Sequence, residues 1–286
     1  MDKSFDEIYK NVPSNQKERF RQFRSTHPYK ECVIDGVTWK YISCGKGEAL
    51  VLLPGGIRFA ETWFKFITAF ENEYKIVSPT YPVLPTMTQF TKGIAAILES
   101  ETIDKAHILG TSFGGWVAQC FIRSYPDKVK TLLLSNTSGP HGISSGLVRI
   151  GQVMTFLYPM PLIQIAFRRN YLNLLSVPDS DREFWKAYVE ELSLKTTKND
   201  IIIQQKCGLD FNNYTFSKDD LIEWPGRILI LESDDDPGIK YAAREKLKTL
   251  YPQAQVHTFH KAGHTPGYTN PTEYISVVKR FLNPKR

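Results

Sequence analysis

Ser112 lies in Gly110-Thr111-Ser112-Phe113-Gly114, directly after the apolar run at residues 106–109 and before a second apolar stretch, residues 116–125. A strand followed by G-x-S-x-G and then a helix puts the serine on a sharp turn. Its flanking glycines allow unusual backbone angles and close approach of strand to helix. The hydroxyl is then held clear of the backbone, near the positive end of a helix, where a nucleophile is useful. The five-residue pattern alone is weak, since about one chain in ten of this length contains it by chance. The sequence carries its own decoy, Gly142-Ile143-Ser144-Ser145-Gly146, separated from the preceding strand by Asn136-Thr137-Ser138-Gly139-Pro140. Ser144 reads as a loop or helix-capping serine.

A serine hydroxyl needs a base to take its proton, and the base needs a carboxylate to hold it. In a parallel sheet all three should leave the carboxyl ends of strands. Of the histidines, His264 in Ala262-Gly263-His264-Thr265-Pro266 follows a strand in a loop that glycine and proline make rigid. His27, His107, His141, His257 and His260 read as surface or packing residues. The strand at 131–134 is followed by Ser135-Asn136-Thr137, with no acid. The strand at 227–231 is followed by Asp234-Asp235-Asp236, of which Asp235 is the preferred acid and Asp234 and Asp236 the alternatives. Two backbone amides are expected to bind a substrate oxyanion. One belongs to Phe113; the other belongs to Gly56, in the Pro54-Gly55-Gly56-Ile57 loop after the strand at 49–53.

The elements that must position these groups follow from periodicity. Residues up to about 24 read as helical with a break at Pro13. Strands at 31–34 and 37–43 are joined by Asp35-Gly36, a hairpin signal. Strands at 49–53, 75–78, 106–109 and 131–134 then alternate with helices at 61–70, 87–98 and after Ser112, which implies a parallel sheet covered on both faces. The alternation stops from 141 to 223, which reads as mostly helical. Ser180–Glu183 is a possible capping box for a helix at 184–194, and another helix starts near Asn199-Asp200 and runs to 206. Strands at 227–231 and 255–259 and helices at 241–250 and 272–282 complete the pattern. The expected organisation is an N-terminal helical extension (1–30), an α/β core (31–138 and 225–286) and a helical insertion (139–224).

Composition narrows the partners. The 286 residues are 42% hydrophobic and 13% aromatic, with a net charge of +6 that forms no concentrated block, which argues against nucleic acid. Four cysteines without regular spacing suggest neither a zinc site nor a disulfide framework, and Cys120 reads as a buried small hydrophobe. No apolar run is long enough to span a bilayer; the strongest, at 153–167, is broken by Pro159 and Pro161. Without a basic, apolar leader at the N-terminus, cytoplasmic residence is the expectation.

Gly110-Thr111-Ser112-Phe113-Gly114-Gly115, Asp235 and Gly263-His264, in the order Ser, Asp, His, resemble the α/β-hydrolase superfamily over residues 32–282. The resemblance implies an eight-stranded, mostly parallel sheet, a helical cap over the active site and no cofactor. Two positions depart from the pattern: Pro54-Gly55 stands where many members have His-Gly, and Glu232 where a glycine often precedes the acid loop. A narrower similarity to maspardin-like proteins runs through Tyr81-Pro82-Val83 and Leu250-Tyr251-Pro252. Some of that branch are binding proteins lacking the histidine, which this chain has. The expected function is a serine hydrolase acting on an ester, thioester or lactone of a small apolar molecule. Carbon–carbon bond hydrolysis, cofactor-free haloperoxidase-like chemistry and a non-catalytic binding role are the alternatives.

Overall fold

The computed structural model describes residues 3–140 and 144–283, so His141 and the start of the decoy motif lie outside the described residues. Asp35 and Gly36, with φ of 50° and 78°, make the two-residue turn between β1 (Tyr29–Ile34) and β2 (Val37–Cys44). Positive φ at both central residues matches the twist of an antiparallel pair, and Ile34 is in register with Val37. The remaining strands are β3 (Glu48–Leu53), β4 (Tyr74–Thr80), β5 (Ala106–Thr111), β6 (Val129–Ser135), β7 (Arg227–Ser233) and β8 (Gln255–Phe259). They form one eight-stranded sheet in the order β1-β2-β4-β3-β5-β6-β7-β8. β2 pairs antiparallel with β4, and from β4 across to β8 each pair of neighbouring strands is parallel.

Successive residues of the central strands face opposite layers. Leu132 and Leu134 pack with α4 (Met87–Ser100) and α5 (Phe113–Ser124); Leu133 packs on the other side with α3 (Phe64–Phe70) and α12 (Pro271–Leu282). This period of two, buried on both faces, is what βα alternation requires. At the edge of the first layer, Gly93 on α4 touches the indole of Trp39. A Cβ there would lie 2.0 Å from a ring carbon.

Two N-terminal helices, α1 (Phe5–Ile8) and α2 (Ser14–Thr26), precede the sheet, and Pro13 separates them. Among the described residues four α-helices lie between β6 and β7: α6 (Ser145–Leu157), α7 (Met160–Leu174), α8 (Asp179–Leu194) and α9 (Lys198–Asn212). α10 (Tyr241–Leu250) and the short α11 (Pro266–Thr269) complete the described helices. Ser144 caps α6 through the Leu147 amide. The capping box expected at Ser180–Glu183 is not formed. α8 begins at Asp179 behind Pro178, and Asp181 instead binds Gln16 and Lys65. The reciprocal box sits at the next helix, where Thr197 and Asp200 cap each other's amides.

The N-terminal helices rest on α8. Phe20 meets Phe184 and Tyr188 edge-on at 5.1 and 5.5 Å. Arg24 binds Glu61 at 2.7 Å and Glu191 at 2.9 Å, and the Tyr9 hydroxyl donates to Glu191 at 2.7 Å. Among the described residues no helix is long and apolar enough to cross a membrane.

Gly93→Ala forces a methyl into a fully packed indole and is expected to lower stability by roughly 1–3 kcal/mol. Urea denaturation followed by tryptophan fluorescence measures it; an unchanged midpoint would contradict the packing.

Candidate active site

The turn between β5 and α5 holds Ser112 at φ 52°, ψ −118°. A non-glycine residue there carries strain of about 1–3 kcal/mol and persists only where neighbours over-determine it. Three hydrogen bonds do so. The Ser112 amide donates to the Ser135 carbonyl at 2.9 Å, and the Ser112 carbonyl accepts from the Gly115 amide at 2.9 Å and the Thr137 hydroxyl at 2.8 Å. The glycines are sterically obligatory. A Cβ on Gly110 would lie 2.2 Å from the Gly114 carbonyl oxygen, and one on Gly114 would lie 2.2 Å from that of Leu53. The serine is thereby lifted off the sheet at the start of α5, where first-turn amides have no helical acceptor.

His264 lies in the loop after β8, buried to 8% exposure, with Gly263 before it at φ 62°. Its Nδ1 is 2.9 Å from both carboxylate oxygens of Asp236. The acid facing the imidazole is therefore Asp236, not the Asp235 preferred from sequence. The chain turns back after β7, with the Asp236 amide 3.4 Å from the Ser233 carbonyl. This points Asp236 inward and leaves Asp235 exposed, accepting from the Gly263 amide at 2.8 Å. Asp234, also outside, binds His260 at 2.7 Å and the Lys261 amide at 3.0 Å. The three aspartates thus grip three successive parts of the histidine loop, and only the innermost reaches the ring.

Asp236 is 4% exposed. Burial opposes its charge, but hydrogen bonds and the charge of His264, with help from Asn136 and the Ile239 amide, hold its carboxyl below the usual carboxylate range. Asn136 Nδ2 donates to Asp236 Oδ2 at 2.9 Å and to the Gly263 carbonyl at 3.3 Å. The amides of Gly238 and Ile239 donate to Oδ1 at 2.7 and 2.9 Å. Asn136 is not among the residues the sequence singles out, because the group expected at the end of β6 is an acid. Its signal is a polar residue at positive φ, 43°, closing an apolar strand.

Ser112 and His264 line one cavity of about 480 Å³. Its floor includes Gly55, Gly56 and Phe113; its walls include Trp63, Tyr171 and Trp185. Gly56 is tied to α9, since Gln204 Nε2 donates to its carbonyl at 2.7 Å. A side chain at 56 would come within 3.0 Å of the Tyr171 hydroxyl, and Gly55 sits closest to Ser112, 3.5 Å from Cβ to Cβ position. Both glycines and the start of α5 therefore border the space beside the serine. Among the described residues lining the cavity there is no lysine, arginine or carboxylate.

Of the other histidines, His107 binds Thr131, His257 binds Glu273 and His260 binds Asp234, all away from the cavity. His27, Cys44 and Glu71 bring three metal-capable atoms within 4.8 Å of one another. Glu71 already accepts from His27 at 2.7 Å and bonds the Cys44 thiol, whose ionisation burial pushes up to about 12. Those mutual bonds account for the cluster.

A carboxyl with a depressed pKa stabilises the fold above its unfolded value, near 3.9, and loses that contribution as pH falls through the lower folded value. Asp236→Asn is therefore expected to be less stable than the wild type at neutral pH. The gap should narrow as pH falls below about 4. Urea midpoints across pH 3–7 test this, and a pH-independent gap would rule it out.

The alpha/beta hydrolase family matches residues 50–277. A 2-hydroxy-6-oxo-6-phenylhexa-2,4-dienoate hydrolase of Burkholderia cepacia is 26% identical over 276 residues, covering 83% of this chain and 88% of that one. Maspardin of Danio rerio is 29% identical over 127 residues, and this match spans only 41% of either chain. Among solved structures, an esterase from Rhodococcus sp. ECU1013 superposes with a TM-score of 0.74 at 20% identity, over 89% of this chain and 98% of that one. The enol-lactonase from Burkholderia xenovorans LB400 does so with a TM-score of 0.75 at 16% identity, over 89% and 100%. With an eight-stranded sheet of this order and a family match over most of its length, the chain belongs to the α/β hydrolase family.

Proposed function

We propose that the protein is a serine hydrolase cleaving an ester, thioester or lactone of a small, uncharged, apolar substrate. The observation carrying this reading is the placement of His264, with Nδ1 on a buried carboxylate and its ring bordering the cavity that Ser112 also borders. With Nδ1–H given to Asp236, Nε2 is the free, basic nitrogen. It takes the Ser112 proton as Oγ bonds to the substrate carbonyl carbon. The Phe113 amide and an amide of the Gly55-Gly56 turn bind the oxyanion. Collapse breaks the bond to the leaving group, which departs with the proton from His264. Water, deprotonated by the same nitrogen, then attacks the acyl-serine, and Ser112 recovers its proton as the acid leaves.

The cavity chemistry separates this reading from carbon–carbon hydrolysis. The Burkholderia cepacia relative is named for a dienoate, a substrate carrying a carboxylate. Burying such an anion without a cationic partner is costly, and no described lysine or arginine lines this cavity. A neutral ester fits the aromatic walls better. A cofactor-free haloperoxidase-like reaction would use the same serine and histidine, but no residue here favours it. The maspardin similarity keeps a binding role as the outcome to be tested against.

A fluorophosphonate probe is expected to label the folded protein, and Ser112→Ala to abolish the labelling. Absence of labelling in folded wild type would favour the binding role. On aryl esters of graded acyl length, Asp236→Asn should lower kcat by about 10⁴. Asp235→Asn, which at most weakens the bond from the Gly263 amide, should stay within about tenfold of wild type. The reverse order of these two effects would sink the assignment of the acid.

A further inference from the structure

The cap helix α6 is amphipathic in the wrong sense, and the helix that follows, α7, adds exposed apolar residues although its Phe167, Tyr171 and Leu172 pack on the core. On α6, Leu147, Ile150, Met154 and Leu157 recur at spacings that form one stripe, and they are 70, 61, 44 and 66% exposed. Beside them Val153 and Phe156 are 57 and 73% exposed, and on α7 Leu162 and Ile165 are 50 and 52% exposed. Only Thr155 of α6 is buried, and no residue of α7 is. The inward side of α6 carries one larger apolar residue, Val148 at the cavity, and is otherwise small or polar: a Cβ on Gly151 would touch Gln205, and Thr155 bonds its own helix. An amphipathic helix normally gives its apolar stripe to the core. Here the stripe is outside, and a contiguous exposed apolar stripe marks an interaction surface.

The charge of the same segment identifies what covers it. From residue 139 to 178 there is no aspartate or glutamate, while Arg149, Arg168 and Arg169 are present. Arg149 is in helical register with Val153 and Phe156, and Arg169 with Leu162 and Ile165. Both arginines are exposed and have no ion pair among the described residues, whereas Arg168 reaches Glu190 at 3.9 Å. At the α6–α7 corner, Lys198 Nζ donates to the Phe156 carbonyl at 2.9 Å, adding a cation beside the apolar tip. A second copy docking face to face would set this positive, acid-free surface against itself. A phospholipid surface carrying anionic headgroups complements it instead, accepting the apolar stripe at the acyl boundary and the arginines at the phosphates.

We propose that the α6–α7 face of the cap is a peripheral docking surface for an anionic phospholipid bilayer. The full-length protein is expected to co-sediment with vesicles of phosphatidylcholine containing phosphatidylglycerol, more strongly than with phosphatidylcholine alone, and to be released by salt. The pair Arg149→Glu and Arg169→Glu should reduce binding to the anionic vesicles at least about tenfold. Phe156→Ser with Leu157→Ser should remove it, and in both variants the thermal midpoint and solution hydrolysis of a soluble aryl ester should be kept. Ser112→Ala should bind vesicles like wild type, so failure of the catalytic reading and failure of this one are told apart. Vesicle binding that is absent, or unchanged by these substitutions, overturns the proposal. So does a monomer–dimer equilibrium in sedimentation velocity that the Phe156 and Leu157 substitutions abolish, because the face would then belong to a second copy.

Discussion

A carboxylate taken almost wholly out of solvent must be surrounded by donors, and Asp236 is where this protein meets that requirement. Its oxygens accept from two backbone amides, the Asn136 side chain and the His264 ring. These donors come from the segments following β6, β7 and β8, so satisfying one charge fixes three strand ends relative to each other. A misplaced histidine takes one of four donors, the one that is cationic when protonated, from a buried anion, which costs more than an ordinary surface contact could recover. Orientation of the His264 ring and stability of this end of the sheet are one property.

The serine side is organised by crowding instead of charge. Backbone atoms of β3, β5 and α5 approach so closely that only glycine fits at 110 and 114, while Ser112 itself is held in a strained turn by its neighbours. Strain there is supported by a sheet whose interior strands are buried on both faces, so the turn has nowhere to relax. The two halves of the site are thus positioned by different physics, and the sheet alone brings them to one cavity.

Much of this was readable from residue order. The alternation of apolar runs with helical periods located the sheet strands to within a few residues, and strand–turn–helix context distinguished Ser112 from Ser144. His264 stood out because a glycine and a proline frame it in a loop after a strand. Asp236 did not stand out, because three identical side chains in a row differ only in the direction the turn gives them, and that turn is set by the Ser233 carbonyl and the Gly238 and Ile239 amides. Asn136 was hidden for a related reason: its role depends on an aspartate a hundred residues away. The capping box expected at Ser180 does not form because α8 already begins at Asp179 behind Pro178, which puts Ser180 inside the first turn instead of at the cap.

The roof over the cavity is unevenly fastened. α8 is bolted to the N-terminal helices by the Arg24, Glu61, Glu191 and Tyr9 network and by interlocked rings, and parting a largely buried charge network costs about 3–5 kcal/mol. α7 leans on α8 through Phe167, Tyr171 and the Gln164 bond to the Ser193 carbonyl, whereas α6 has Thr155 as its single buried side chain. Any displacement of the roof is therefore expected on the α6 flank before it reaches α8.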